Sequence, residues 1–158
     1  MTPPLRSQPK PSDHSSVHEL VTATGVFSKI EAGWAVEIVD AALNRPDSGY
    51  HLLFADGAQG LDGFTAFGPI EGTQNRFDLY WIAVSPSAQG KGIGRRLLGA
   101  TMDAARSIGA THMFIDTSTR PDYAAARKLY RELDFALMGT LIDFYADGDG
   151  KALFGRKL

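Results

Sequence analysis

The sequence predicts one α/β domain built around a single mixed sheet, and three observations carry that prediction. Phe77 to Val84 is an aromatic, β-branched run bounded by polar residues, which reads as a strand. Ile93, Leu97, Ala100, Ala104 and Ile108 then recur at helical spacing, so a helix should run to about Gly109. Met113 to Asp116 follows as a short buried strand, and a strand, helix and strand in this order imply a parallel-type crossover between neighbours.

Composition sets the bounds. A chain of 158 residues suits one domain with a real core. Hydrophobic content of 44% and charged content of 22% are ordinary for a globular protein. A formal net charge of −2 leaves no basic excess for neutralising phosphates, so a nucleic-acid partner is not expected. The chain has no cysteine, which removes disulfides, thiolate metal sites and cysteine nucleophiles and fits a cytoplasmic location. No apolar run approaches a membrane span, and the first residues lack a signal-peptide core.

In chain order, residues 1–12 hold four prolines and little apolar material and are expected to be a flexible segment. Leu5-Arg6 is its only candidate for a short edge strand. The domain proper should occupy 13–158. Asp13 is placed to cap a helix carrying Val17, Leu20 and Val21, which ends near Gly25. Ser28-Lys29-Ile30-Glu31 fits a capping box, with Phe27 before it as a staple. A second helix should follow through Ile30, Trp34, Ile38 and Ala41, ending before Asn44-Arg45-Pro46. Trp34 is expected to pack inward, as an aromatic at helical spacing usually does.

Tyr50 to Ala55 and Gly63 to Gly68 read as strands joined by a turn at Asp56-Gly57 or Gln59-Gly60. Pro69 to Asn75 is a polar loop leading to the strand at Phe77. Beyond Met113 to Asp116, Pro121 suits the first turn of another helix. Phe135 to Tyr145 and Ala152 to Leu158 should form a final hairpin across Ala146 to Gly150.

The chemistry concentrates in the stretch from Val84 to Leu98. Gly90, Gly92 and Gly94 remove side chains where strand becomes helix, and the helix N-terminus adds free N–H groups and partial positive charge. That combination suits a phosphate or pyrophosphate. A P-loop is excluded, because Gly92 follows Lys91 where a hydroxyl is required. The dinucleotide fingerprint is excluded too, because Arg95 occupies the slot of its third glycine.

Gln89-Gly90-Lys91-Gly92-Ile93-Gly94 instead resembles the Gln/Arg-x-x-Gly-x-Gly/Ala signature of the GNAT acetyltransferase superfamily. The strand with Val-x-Pro before it and Arg95-Arg96-Leu97-Leu98 after it supply the context this motif requires. The element order is similar over most of the chain from Asp13, most specifically from Asp78 to Phe135. The resemblance implies the GNAT acyl-CoA N-acyltransferase fold: a mixed, mostly antiparallel twisted sheet flanked by helices.

It also implies transfer of an acetyl group from acetyl-CoA to an amine. Gln89, the backbone from Gly90 through Lys91, Gly92 and Ile93 to Gly94, and Arg95 would hold the pyrophosphate. Ile82, Ala83 and Val84 would pair with the pantetheine arm where their strand splays from the strand at Met113. Tyr123 stands where many members carry asparagine at a cofactor contact. Arg127 is a candidate for an adenosine phosphate, or else a solvated partner of Asp122 or Glu132.

An amine of pKa about 10.4 costs about 4.6 kcal/mol to hold neutral at pH 7, so a base is worth having. Asp78 lies where several members carry a glutamate; being one methylene shorter, it would reach through water. It reads equally as a carboxylate exposed at a strand start. Tyr80 shares its face unless a bulge intervenes. Leu129-Tyr130-Arg131-Glu132-Leu133-Asp134-Phe135 resembles the family's Leu-Tyr-x-x-x-Gly-Phe, whose tyrosine protonates the departing sulfur. Tyr130 can also be read as a core aromatic on a face with Tyr123, Ala126 and Leu133. Asp134 replaces the glycine, which aspartate's tolerance of left-handed backbone permits.

No histidine pair has metal spacing and no serine sits in Gly-x-Ser-x-Gly. Asp143 to Asp149 is superficially like a calcium loop, but Phe154 at the twelfth position argues against it. In the fold implied, this hairpin lies beside the acceptor, where its carboxylates and Tyr145 could receive a cationic amine or simply form a solvated turn. The sequence reading is therefore a metal-free N-acetyltransferase using acetyl-CoA and an unidentified amine acceptor, monomeric or homodimeric, with no nucleic-acid or membrane partner. A non-catalytic acyl-CoA-binding module and a transferase of longer acyl chains are its alternatives.

Overall fold

A computed structural model describes residues 2–158. Two helices, α1 (Asp13–Ala23) and α2 (Lys29–Asn44), precede three strands, β1 (His51–Gly57), β2 (Gly60–Pro69) and β3 (Arg76–Val84). Helix α3 (Ile93–Ser107), strand β4 (His112–Ser118), helix α4 (Ala124–Glu132) and the strands β5 (Ala136–Ala146) and β6 (Asp149–Lys157) complete the chain. The six strands form one sheet in the order β1-β2-β3-β4-β6-β5. Only β3 and β4 run parallel; every other neighbouring pair is antiparallel. The sheet is thus mixed and mostly antiparallel, and α3 is the crossover between its parallel pair. No helix is long and apolar enough to cross a membrane among the described residues.

Two apolar clusters sandwich the sheet. On one face Leu97, Leu98, Met102 and Ala105 of α3 pack with Phe77, Leu79, Met113, Ile115 and Phe154. On the other, Val17, Leu20 and Val21 of α1 and Ala32, Ala35 and Val39 of α2 pack with Phe54, Phe64 and Ala66. Burying side chains of this size on both faces is the main favourable term in folding. Thr65 and Thr101, both fully buried, share a hydrogen bond of 2.7 Å that ties α3 to β2.

The capping box forms as expected: Ser28 Oγ accepts from the Glu31 N–H at 3.1 Å, and Glu31 Oε2 accepts from the Ser28 N–H at 2.6 Å. Asp13, however, does not cap its own helix. Its buried carboxylate accepts from the Lys10 N–H and from both terminal nitrogens of Arg6. Arg6 also pairs with Asp56, lies over the Phe54 ring and bridges Phe54 through backbone bonds, which covers the outer side of β1. The Leu5-Arg6 strand is thus a single bridge.

Two helix faces differ from the sequence reading. In α2 the buried residues are Ala32, Ala35, Val36, Val39 and, as expected, Ala41, while Ile30 is 67% and Trp34 54% exposed. The small residues let α2 lie close to α1 and the sheet, and that close approach outweighs the larger stripe one turn-edge away. In α3 the inward stripe includes Leu98, Thr101, Met102 and Ala105, and Ile108 at its end is 49% exposed. At the end of α4, Asp134 sits at φ +64°. The Phe135 and Asp134 N–H groups donate to the Tyr130 and Arg131 carbonyls, closing the helix in the way a glycine usually does.

Candidate functional site

The site begins where the parallel pair comes apart. Arg76, Phe77 and Asp78 pair with His112, Met113 and Phe114, and pairing stops there although β3 continues to Val84 and β4 to Ser118. Between the diverging strands lies a cleft of about 1150 Å³, walled by β3 from Leu79 to Val84 and by β4 from Ile115 to Ser118. A bulge in β3 shapes this wall. Ala66 faces Trp81 while Phe67 faces Leu79, so Tyr80 is the extra residue. Before the bulge Phe77 and Leu79 face the α3 cluster; after it Ile82 and Val84 do, and Trp81 and Ala83 turn to the α1–α2 side. Tyr80 keeps the face of Asp78, the alternation shifting only from Trp81 onward, and its hydroxyl donates to the Pro69 carbonyl at 2.9 Å.

At one end of the cleft sits the glycine loop. Gly90 and Gly92 hold φ of +76° and +79°, and a Cβ built on either would meet nothing within 4 Å. Gly92 is the N-cap of α3 and offers no side chain to its first-turn N–H groups. These donors, unmatched within the helix, open on the cleft with the positive end of a 15-residue dipole behind them. Gly94 brings α3 close to its neighbours, since a Cβ there would sit 3.3 Å from Leu129 and 3.6 Å from Val84. The loop is a cradle of bare backbone that fits a pyrophosphate.

Most of the expected cofactor residues line this cleft: Ile82, Ala83, Val84, Gln89, Gly90, Gly92, Ile93, Gly94, Arg95 and Tyr123. Gln89 donates its amide to the Val84 carbonyl at 3.2 Å, bracing the loop against β3. Arg95 meets Glu132 at 2.6 Å, an exposed ion pair bridging α3 to α4. Two expected cofactor residues fall outside the lining, as does Asp78. Lys91 is exposed and does not line the cleft. Arg127 turns back into the segment before α4, where its Nη1 donates to the Ser118 and Arg120 carbonyls at 2.7 and 2.9 Å. The Arg120 carbonyl also accepts from the Tyr123 N–H at 3.0 Å, and Arg127 pairs with neither Asp122 nor Glu132.

Tyr130 lies in the cleft wall at 4% exposure, its ring packed edge-on by Phe135 and Phe154. Burial, with the nearby Tyr123 adding to it, pushes its hydroxyl far above the ordinary tyrosine range, so it holds its proton at any physiological pH. Asp78 stands at the fork. Burial, reinforced by the neighbouring Asp116 and opposed by Lys151, raises its pKa to about 6. Asp116 lines the cleft and receives Lys151 Nζ at 2.9 Å.

The opposite end joins the last hairpin, expected beside the acceptor, to Phe27, Glu31 and Trp34, which the sequence points to only as helix-start and core residues. Phe27 packs on Trp81 at 5.0 Å and edge-on to Tyr123 at 6.2 Å, with Glu31 and Trp34 beside it. Trp34 is thus a cleft residue rather than a core one. From the last hairpin Tyr145 and Asp149 reach the cleft, whereas Asp143 turns away to accept from the Gly148 N–H at 2.8 Å. Only tertiary packing assembles this end, from α2, β3 and the β5–β6 turn. Among the described residues no group of three histidine or acidic side chains is placed to hold a metal.

A forked parallel pair with a bare glycine loop at the start of the crossover helix defines an acyl-CoA transferase type of α/β fold. The family model for acetyltransferases of the GNAT type matches residues 16–135, and the chain belongs to that family. A GNAT-family crystal structure from Desulfovibrio desulfuricans is 36% identical, with a TM-score of 0.90 over 98% of both chains. The N-alpha-acetyltransferase RimI of Mycobacterium tuberculosis is 32% identical over 108 residues, covering 66% of this chain and 65% of that protein. The structure of yncA from Salmonella typhimurium, described with its cofactor acetyl-CoA, is 20% identical with a TM-score of 0.78, covering 98% of this chain and 93% of that one. The match spans 27% to 65% of the length of the curated relatives.

Proposed function

We propose that this protein is an N-acetyltransferase that moves the acetyl group of acetyl-CoA to a primary amine. The observation that carries the reading is the fork itself: one cleft joins the glycine cradle, the backbone of Leu79 to Val84 left unpaired by β4, and Tyr130, with Asp78 at the vertex where the two strands part. The bound acetyl-CoA would supply a thioester, whose sulfur leaves far more readily than an amine. The N–H groups from Gly90 to Gly94 would hold its pyrophosphate, and the free edge of β3 would align its arm.

Asp78 acts on the acceptor. With a pKa near 6 it is mostly ionised at pH 7 yet basic enough to take a proton, directly or through a water. The amine's lone pair then forms the C–N bond while the C–S bond breaks. Tyr130 donates a hydrogen bond to the departing sulfur. Its raised pKa makes complete proton transfer uphill, so its contribution is stabilisation of the thiolate rather than delivery of a free proton.

The acidic and aromatic end formed by Phe27, Glu31, Trp34, Tyr145 and Asp149 supports a cationic amine as the acceptor. The test is a panel of amines assayed for released CoA thiol, run beside a melting experiment with acetyl-CoA. A rise in melting temperature and thiol release with at least one amine are expected. No melting shift with acetyl-CoA would remove the reading altogether.

A further inference from the structure

We propose that Asp116 binds the acceptor: it receives the ammonium group of the incoming amine across the fork from Asp78, and Lys151 holds it in place. The inference rests on the amine-transfer reading above and adds to it the residue that docks the amine. Asp78 stands at the vertex and does not line the cleft, so a base there needs a partner that brings the amine to it. Asp116 does line the cleft.

Strand alternation puts the three charged groups on one face. Phe77 and Leu79 of β3, Met113 and Ile115 of β4, and Ala152 and Phe154 of β6 all point to the α3 cluster. Asp78, Asp116 and Lys151 alternate with them and so point to the opposite face. Asp78 pairs with Phe114, which places Asp116 two residues, about 7 Å, further along β4, where the strands have parted. The cluster under α1 and α2 takes its strand residues from β1, β2 and β3 alone. Those helices therefore leave this stretch of β4 and β6 open to the cleft.

The other carboxylates of the cleft are already engaged. Glu31 closes its capping box, Glu132 meets Arg95, Asp149 accepts from the Ser118 hydroxyl, and Asp122 stands 4.0 Å from Arg120. Asp116 meets Lys151 Nζ at 2.9 Å through Oδ2, and its other oxygen has no partner among the described residues. At pH 7 Asp78, Asp116 and Lys151 together leave one negative charge unmatched on this face. The remaining ionisable groups around Asp78 do not cancel it. Burial pushes the Tyr80 and Tyr145 hydroxyls upward, so both stay neutral, and Tyr50 packs edge-on against Tyr80. Arg76 and His112 lie at the closed end of the pair, where Arg76 donates to the Gln74 carbonyl at 2.9 Å and His112 Nδ1 meets Thr111 Oγ1 at 3.0 Å. A cationic amine supplies the missing charge. The docked ammonium passes a proton to the Asp78 carboxylate, directly or through a water, and the neutral amine keeps the lone pair that attacks the thioester.

The experiment uses benzylamine as the probe on the full chain, with benzyl alcohol as its uncharged counterpart. In the complex with CoA, the Asp116 carboxyl carbon signal is expected to shift saturably with benzylamine and not with benzyl alcohol. In the thiol-release assay Asp116→Asn is expected to raise KM for benzylamine about tenfold, equal to about 1.4 kcal/mol, and to keep the melting shift with acetyl-CoA. The acidic limb of kcat/KM is expected to move in opposite directions in two variants. It moves to lower pH in Asp116→Asn, which removes a charge that raises the Asp78 pKa, and to higher pH in Lys151→Met, which removes the charge that opposes the rise. Asp103→Asn, exposed on α3, removes the same charge far from the fork and is expected to change none of these. An Asp116 signal that ignores benzylamine or answers benzyl alcohol equally, an unchanged KM in Asp116→Asn, limbs that move together, or the same effects in Asp103→Asn would each overturn the proposal. If benzylamine does not turn over, the carbon signal alone decides. Absence of a melting shift with acetyl-CoA in the wild type would instead overturn the transfer reading, so the two failures are told apart.

Discussion

Asp78 and Phe114 are the last two residues at which β3 and β4 stand paired. One residue further along, the strands separate and the cleft opens, so the carboxylate sits at the vertex of the fork. That position explains its chemistry. It is removed from bulk water enough to raise its pKa to about 6, with Asp116 across the gap adding to the effect and Lys151 limiting it.

The first prediction follows from that pKa. Activity should fall as pH drops through about 6, because Asp78 gains a proton and can no longer accept one. Asp78→Asn should flatten this acidic limb and slow turnover by about 10²-fold. Stability should respond in the opposite sense. A carboxylate whose pKa is raised on folding contributes stability below its unfolded pKa of 3.8 and loses it as pH rises through 6. The melting temperature of Asp78→Asn, relative to wild type, should therefore increase between pH 4 and pH 7. A mutant that kept the wild-type limb would reduce Asp78 to a surface carboxylate.

Gly92 carries the second. Its φ of +79° is one that a β-branched residue adopts only under strain, and open space stands where a side chain would go. Gly92→Val should lower stability by about 1–2 kcal/mol through that strain. It should also abolish the melting shift with acetyl-CoA, since the side chain would occupy the cradle. Retention of the full shift would place the pyrophosphate elsewhere.

Tyr130→Phe separates chemistry from packing. The ring contacts with Phe135 and Phe154 survive, so acetyl-CoA should still protect the mutant against heat. With hydrogen bonding to the sulfur lost, kcat should drop about 10- to 10²-fold, at or below the usual range for a general acid. An unchanged kcat together with a lowered denaturation midpoint would assign the hydroxyl to structure alone.

Asp134 supplies a prediction about stability only. It closes α4 at φ +64°, which glycine adopts without a Cβ penalty. Asp134→Gly should therefore raise stability by roughly 0.5–1 kcal/mol, the left-handed strain relieved less glycine's added chain entropy, worth about 1–4 °C in Tm for a chain of this size. Thermal melts of the two proteins in one buffer decide it; a lower Tm in the mutant would mean that the carboxylate contributes more than the strain it bears.

What the sequence determined by itself was what local chemistry decides. Ser28 and Glu31 form their capping box because both partners lie within one helical turn. The glycine cradle, the crossover helix and the αL terminus at Asp134 are likewise legible, since each depends on backbone conformation over a few consecutive residues. The place of Tyr130 on its helix was legible for the same reason, whereas its burial needs Phe154 of β6 against the ring.

Tertiary structure alone decided where faces point and which distant groups meet. Trp34 faces the cleft because Ala32, Ala35 and Val36 allow closer packing than a tryptophan does, a comparison that needs the neighbouring helix in place. Arg127 is drawn to two carbonyls that only the β4–α4 turn exposes. The Asp78 carboxylate reaches a pKa of about 6 only through burial in the folded sheet, where Asp116 of β4 raises it further and Lys151 of β6 opposes the rise. Those partners are 38 and 73 residues away in the chain, and no periodicity records a meeting across that distance.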